Sequence, residues 1–328
     1  MLIQHMQINL KHLIISCFLF TLVPSVAQIT DYYLAKSELV ENYEFMVALT
    51  EENVIGAYKL VDISYKILAE NLEIEMQNAF IPFLSAYKEV NGKVKDIDLR
   101  KLKEKLGEDF ELYIINKEGV IIHTTFPKDQ DLDFSKVAPD FNNKLQKIRE
   151  KGGYQGDRIT STIKTGEVRK FGYWGTSDKQ YILEIGISSS KFDSSLKEID
   201  LSKITKSFEE FNPDLKSVTV FNGDGKIFNN PDFNPSKEQI INVKKVFSTG
   251  EKFQIMRYPK SERIIYTKVD IKDEASASHG DKVIELVFDT TSFDEKLNEI
   301  VIEQVIVTTI FTLVGGIVSL FLHKVLKV

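Results

Sequence analysis

The sequence predicts an α+β protein, in which a long N-terminal helix precedes two tandem antiparallel five-stranded sheets set between terminal transmembrane helices. Three observations predict it. The chain closes on an apolar run from Val305 to Leu322 that contains no charged residue. A stretch from Asp31 to Glu89 carries a single glycine, Gly56, and a single proline, Pro82, with apolar residues at helical spacing. One order of strands and helix then occurs twice at a nearly fixed interval.

The N-terminal run from Leu13 to Ala27 is short, roughly 15 residues, and follows Lys11 and His12. Ser25-Val26-Ala27 is a small-residue cleavage pattern, so residues 1–30 read either as a signal peptide or as an uncleaved membrane anchor. Ile14-Ile15-Ser16-Cys17 is similar to a lipoprotein motif, but almost no apolar run precedes the cysteine, which disfavours lipidation. Either main reading exports the body.

Residues 31–90 form a helical stalk in which Ile55, Tyr58, Val61, Ile63, Ile67, Leu68 and Leu72 keep helical spacing, with a break expected near Pro82. The period then changes. Glu111–Ile115 and Val120–Ile122 are short β-prone runs, and Asn116-Lys117-Glu118-Gly119 between them supplies a hairpin turn with a glycine for positive φ. Lys136 to Lys151 reads as a helix ended by Gly152-Gly153, and strands follow around Arg158–Ile163, Glu167–Trp174 and Gln180–Ile187.

Thr219 to Phe228 repeats the first hairpin about 106 residues later. Glu184 through Phe192-Asp193, Leu196, Glu198 and Ile199 matches Glu285 through Phe293-Asp294, Leu297, Glu299 and Ile300 at an offset of about 101. The chain therefore holds one design twice, in domains expected at 91–200 and 201–300. Each is expected to pack its helices against one face of its sheet.

The closing segment, 301–323, reaches the length needed to span hydrocarbon, roughly 18 residues. Lys324 and Lys327 follow it, which places a short tail, 324–328, in the cytoplasm and the body outside. Thr308, Thr312 and Gly316, with Gly315 and Ser319, bring small residues to one helix face, where a second helix can approach in a dimer.

Composition excludes several function classes. Against 48 Asp and Glu stand 42 Lys and Arg; setting aside Lys11, Lys324 and Lys327 leaves about nine excess negative charges between the membrane segments, poor footing for nucleic acid. The single cysteine lies in an apolar run, so the body forms no disulfide. Walker A, Gly-x-Gly-x-x-Gly, Gly-x-Ser-x-Gly and His-Glu-x-x-His patterns are absent, which leaves an enzyme reading without support and points to no cofactor. Apart from His5, His12 and His323 near the membrane ends, only His123 and His279 remain, in different repeats, so no zinc site is expected. Asp129, Asp131 and Asp133 imitate the start of a calcium loop, but Phe134 and Asp140 stand where glycine and glutamate belong, and the run reads instead as a solvated turn before a helix.

Tyr113-Ile114-Ile115-Asn116-Lys117-Glu118-Gly119, Thr124-Thr125-Phe126 with Leu132-Asp133-Phe134, Gly156-Asp157-Arg158, Arg169-Lys170-Phe171-Gly172-Tyr173 and Tyr181-Ile182-Leu183-Glu184-Ile185-Gly186 together resemble the double Cache family. These are extracytoplasmic sensor regions of bacterial histidine kinases, diguanylate cyclases and chemoreceptors. The resemblance implies two PAS-like (Cache) domains, membrane-distal and membrane-proximal, on a cytoplasmic (inner) membrane and outside the cytoplasm. It implies a small-molecule ligand, a homodimer, and, since no kinase, cyclase or receptor output follows the last apolar run, signalling through a separate subunit. The Arg-x-Trp-Tyr pattern of the amino-acid-binding members is absent, and Lys170 to Trp174 does not supply it.

Tyr154, Asp157, Arg158, Lys170, Tyr173, Trp174 and Tyr181 are the candidate ligand-binding set of the distal domain, with Arg158 or Lys170 expected to catch an organic anion. Each also has a plainer reading as a surface pair, a solvated strand residue or ordinary aromatic packing. Lys170 and Tyr173 are an odd number apart, so a regular strand cannot turn both to one face. The rival to a sensor is a surface-exposed binding or scaffold protein, cleaved after Ala27 and held by its C-terminal helix.

Overall fold

The computed structural model describes residue 15 and residues 23–192, 201–228, 234–271, 273 and 276–325. Most of the N-terminal run, including Cys17, and the stretch 193–200 of the repeat lie outside them; the proposed cleavage site at Ser25–Ala27 is already helical. By compactness the chain divides into two units, one of residues 52–255 and 264–288 and one of residues 1–51, 256–263 and 289–328.

Helix α1 runs Val23–Asn71 and α2 runs Glu73–Glu89. The break falls at Leu72, and α2 passes through Pro82 unbroken, contrary to the expectation from sequence. Proline removes one intrahelical hydrogen bond; here the buried stripe Met76, Ala79, Phe80 and Phe83 fixes the helix on the sheet and outweighs that loss. Within unit 52–288, Val54, Tyr58, Val61, Tyr65 and Ala69 give α1 its buried face. Ile63 and Ile67, from the same helically spaced run, point outward.

After α3 (Leu99–Leu106), capped by Asp98 accepting from the Lys101 amide at 3.0 Å, strands β1 (Phe110–Asn116) and β2 (Ile121–Thr124) form the expected hairpin. Gly119 takes φ +84° in its turn, and the Asn116 carboxamide accepts from the Val120 amide at 2.8 Å. Two helices follow, α4 (Phe134–Val137) and α5 (Pro139–Lys151), then β3 (Gly153–Ser161), β4 (Val168–Gly175) and β5 (Tyr181–Ser188). The first sheet has five strands in the order β2-β1-β5-β4-β3, paired antiparallel throughout.

Helices lie on both of its faces, not on one. Gly172 of β4 lets α2 come close: a Cβ there would stand 2.8 Å from Met76 and 3.3 Å from Phe80. On the opposite face Phe141 of α5 meets Tyr173, ring centroids 6.1 Å apart.

The same order returns in α6 (Leu201–Phe211), β6 (Leu215–Phe221), α7 (Lys237–Thr249), β7 (Phe253–Arg257), β8 (Glu262–Val269) and β9 (Lys282–Asp289), with a second sheet ordered β6-β9-β8-β7. Among the described residues it has four strands where five were expected, the return of the second hairpin making the single bridge Phe221↔Ile227. Helix α7 has a reciprocal capping box between Ser236 and Gln239 and ends on Gly250 in the left-handed region.

The last helix, α8 (Thr291–Val325), contains a segment, Thr291–Val318, long and apolar enough to cross a membrane. Within its own unit, Thr308 donates to Gln28 of α1 at 2.7 Å, and Arg263 donates to both carboxylate oxygens of Glu44 at 2.6 and 2.9 Å. Thr308, expected on a face for a partner chain, thus meets a helix of its own chain.

Candidate functional site

A cavity of about 490 Å³ opens over one face of the first sheet, inside the unit of residues 52–255 and 264–288. Its floor is a row across three neighbouring strands. Tyr113 on β1 faces Glu184 on β5, and Glu184 faces Tyr173 on β4, each pair in direct register. Register partners share a face, so these three side chains stand side by side beneath the cavity. Phe171, two residues from Tyr173, continues the floor.

One wall comes from α4 and α5, where Phe134 and Phe141 meet edge to face at 5.1 Å. Opposite are the end of β3, the Asn222–Asp224 turn and Phe247 of α7. These sides are held together by polar contacts. Asn222 donates to the Ser161 hydroxyl at 2.9 Å, and Lys226 donates to the Ile163 and Lys164 carbonyls.

The floor is polar beneath its apolar walls. Glu184 is 4% exposed and Asp129, from the turn before α4, is 5% exposed. Glu184 Oε2, Asp129 Oδ1 and the Tyr113 hydroxyl are buried without a hydrogen-bond partner. Burial pushes the Glu184 carboxyl well above the usual carboxylate range, and Asp129 and Asp157 add to that shift by like-charge repulsion. Asp129 also rises through burial, with Lys164 and Arg169 opposing. At the other side Lys282 is pushed down to about 7 by burial and then by Arg158.

The seven residues singled out from sequence fall into four places. Tyr173 lines the cavity, and Asp157 stands behind it, accepting from the Tyr173 hydroxyl at 2.9 Å and the Ser278 hydroxyl at 2.6 Å. Arg158 is ion-paired with Asp62 of α1, with Asp273 3.7 Å away. Lys170 lies on the α2 face, paired with Glu73 at 2.9 Å and donating to the Asp157 carbonyl. Tyr154 and Trp174 pack around Phe80 of α2 at 5.6 and 5.7 Å, and Tyr181 packs against Tyr87 at 6.3 Å. Strand alternation divides the set: Lys170 and Trp174 share one face of β4, Tyr173 the other.

Both basic residues expected to hold an anion are therefore neutralised by carboxylates of the long helices, away from the cavity floor. The carboxylates of the floor escaped the sequence reading. Glu184 had one visible signal, a lone charge inside the apolar strand Tyr181-Ile182-Leu183-Glu184-Ile185. Asp129 reads from sequence as part of an acidic turn. In the structure the three aspartates part: Asp131 has φ +60°, Asp133 caps α4 by accepting from the Ser135 amide, and Asp129 turns inward. Among the described residues no group of three or more His, Cys, Asp or Glu is placed to hold a metal ion.

No family model matches the chain, and no curated protein matches it. Solved structures do. An extracellular ligand binding receptor from Desulfohalobium retbaense is 12% identical with a TM-score of 0.31; the match covers 75% of this chain and 40% of that one. A domain of a sensory box/GGDEF family protein from Vibrio parahaemolyticus is 11% identical with a TM-score of 0.36, covering 76% of this chain and 99% of that one. The ligand binding domain of the Pseudomonas aeruginosa amino acid chemoreceptor PctB, solved with L-Arg, is 14% identical with a TM-score of 0.34, covering 77% and 97%. The first and third of these are ligand-binding regions of receptors by their own description, and the second is a domain of a sensory protein.

Proposed function

We propose that the chain is a membrane-anchored extracytoplasmic sensor of the double Cache kind, which takes a small molecule into the cavity over the first sheet. One observation carries this reading: an aromatic-walled cavity whose floor holds the Tyr113 hydroxyl, Asp129 Oδ1 and Glu184 Oε2 buried and unpartnered. A buried polar atom left without a partner costs about 1–3 kcal/mol. A bound molecule that hydrogen-bonds to them recovers that cost, whereas an apolar core would simply omit them.

In this reading α1 and α2 form the stalk, residues 91–200 the distal domain and residues 201–300 the proximal domain, with the cavity floored by the first and walled in part by the second. The membrane segment 301–323 anchors the body outside the cytoplasmic membrane. The lysines after it, Lys324 and Lys327, support that orientation.

Output passes through a dimer or a separate kinase, cyclase or receptor subunit. A seam on the long helices supports the dimer. Leu60, Ile63, Ile67, Ile74 and Ile81 recur at heptad spacing and are 66, 53, 55, 75 and 65% exposed. Together they offer on the order of 500 Å² of apolar surface, a large part of the ~800 Å² that each partner gives to a standard interface. Membrane anchoring holds two copies parallel, so the same positions meet.

The test is a thermal-shift screen of the full chain in nanodiscs against amines, alcohols, sugars, carboxylates and amino acids, repeated with Thr160→Trp, which fills the cavity from β3. A binder raises the melting temperature by mass action. The sensor reading expects a hit that Thr160→Trp removes. Silence from every class returns the scaffold reading.

A further inference from the structure

We infer that the cavity takes an organic cation, its ammonium group seated against Glu184, Asp129 and Tyr113 and its hydrocarbon part along Phe134, Phe141 and Phe171. This rests on the sensor reading above and names the ligand class of the same cavity.

The groups awaiting a partner select for donors. Two of the three unpartnered atoms are carboxyl oxygens, and the third is a hydroxyl, which accepts as readily as it donates. The neighbouring Tyr173 hydroxyl already donates to Asp157 at 2.9 Å, so toward the floor its oxygen is left only to accept. An ammonium group carries only donors and satisfies all three at once. An anion would meet two carboxyls there. The basic residues near the sheet have carboxylate partners: Arg158 pairs with Asp62, Lys170 with Glu73, and the Nη2 of Arg169 with Glu167 at 2.7 Å, while Nε and Nη1 of Arg169 are buried without a hydrogen-bond partner.

Independently of the carboxyls, the walls suit a cation. Phe134, Phe141 and Tyr173 form a continuous edge-to-face series at 5.1 and 6.1 Å around the floor. Ring faces attract cations, more strongly where water is excluded. The one cationic group deep in the lining, Lys282, does not reach this pole. Its Nζ lies against the Gly280 and Asp281 carbonyls at 3.3 and 3.4 Å and 5.0 Å from the Phe228 ring centre.

A proton balance follows. Burial raises both floor carboxyls; Glu184 faces Asp129 and Asp157, while Asp129 also faces Lys164, Arg169, Glu167 and Lys226. Seating a cation favours the ionised carboxylate, so any proton that a raised carboxyl holds leaves for solvent as the ligand enters. Affinity then rises with pH until the amine itself loses its proton, near ~10.

The experiment is titration calorimetry of the full chain in nanodiscs with 2-phenylethylammonium and butylammonium, and with 2-phenylethanol and 3-phenylpropionate as neutral and anionic counterparts. Buffers of different ionisation enthalpy count the proton released. The cations are expected to bind, tighter at pH 8 than at pH 6, with at least tenfold loss in Glu184→Gln and in Asp129→Asn, two variants whose thermal unfolding shows whether they fold. Binding of the alcohol or carboxylate with silence from both cations overturns the ligand class and leaves the sensor reading standing. Cation binding unchanged in both folded variants overturns the site. No binding by any of the four overturns this inference; the sensor reading then falls only if the wider screen is silent as well.

Discussion

The hydroxyl of Tyr173 donates to the carboxylate of Asp157 at 2.9 Å, and the same carboxylate accepts from the Ser278 hydroxyl and amide at 2.6 and 3.1 Å. A side chain on β3 thus ties the cavity floor to a segment more than a hundred residues away in sequence. Both partners are buried, Tyr173 at 1% and Asp157 at 3% exposure.

Removing either partner should therefore have unequal effects. Tyr173→Phe deletes one hydrogen bond while Asp157 keeps Ser278, an expected loss of about 1 kcal/mol. Asp157→Ala leaves the Tyr173 and Ser278 donors unsatisfied together, and should cost about 3 kcal/mol or more. Chemical unfolding of both variants checks the order; equal losses would contradict it.

Arg158 should act on stability rather than on ligand affinity. Arg158→Met leaves Asp62 buried without its partner, an expected cost of about 3–5 kcal/mol. Asp62→Asn combined with Arg158→Met should recover much of this. A double-mutant cycle by thermal unfolding gives the coupling, and additive losses would refute the pair.

Glu184 sets a slope of stability against pH. Its folded pKa is raised above 4.5, so above that value the folded chain keeps a proton that the unfolded chain has lost. Stability from this group is therefore full below about pH 4.5 and falls as pH rises toward the folded value. Glu184→Gln should flatten the fall between pH 5 and pH 8 without added ligand, as followed by the unfolding midpoint.

Lys282 slopes the other way. Its ammonium is pushed from 10.5 to about 7, so below pH 7 the folded state carries a buried charge and its full cost, which fades as pH climbs from 7 toward 10.5. Lys282→Met should raise the melting temperature by a few degrees at pH 6. The gain should shrink by pH 9, and a pH-independent gain would show that the charge is not its source.

The helix seam predicts a crosslink. In a Cys17→Ser background, Ile67→Cys and Ile74→Cys should each form a disulfide-linked dimer under mild oxidation in membranes, whereas Lys206→Cys on α6 should not. Ile67→Glu with Ile74→Glu should shift the chain toward monomer in detergent by sedimentation.

Much of the fold was written locally. Gly119 in its hairpin turn, Gly152 ending α5 and the β-prone runs of β1 and β5 each report a short-range preference, and such runs recur in β6 and β9. The apolar α8 segment is likewise a property of composition alone. What packing decided lay elsewhere. Sequence spacing marked Ile63 and Ile67 as helical along with Tyr58 and Val61, but a helix packed on one side buries one stripe and exposes the rest, and only the tertiary packing fixes which. Pro82 signalled a break that burial of Phe80 and Phe83 overrode.

The candidate site divides along the same line. The sequence by itself identified Tyr173 and Asp157 as members of a polar, aromatic cluster on neighbouring strands. It could not say that Lys170 turns to α2 and Arg158 to Asp62, because those partners, Glu73 and Asp62, come from the long helices far along the chain. Nor could it show Asp129 and Glu184 side by side without partners. Burial and the loss of hydrogen-bond partners are properties of the assembled body, set by which surfaces close over a group, and only the tertiary structure turns two ordinary carboxyls into the floor of a cavity.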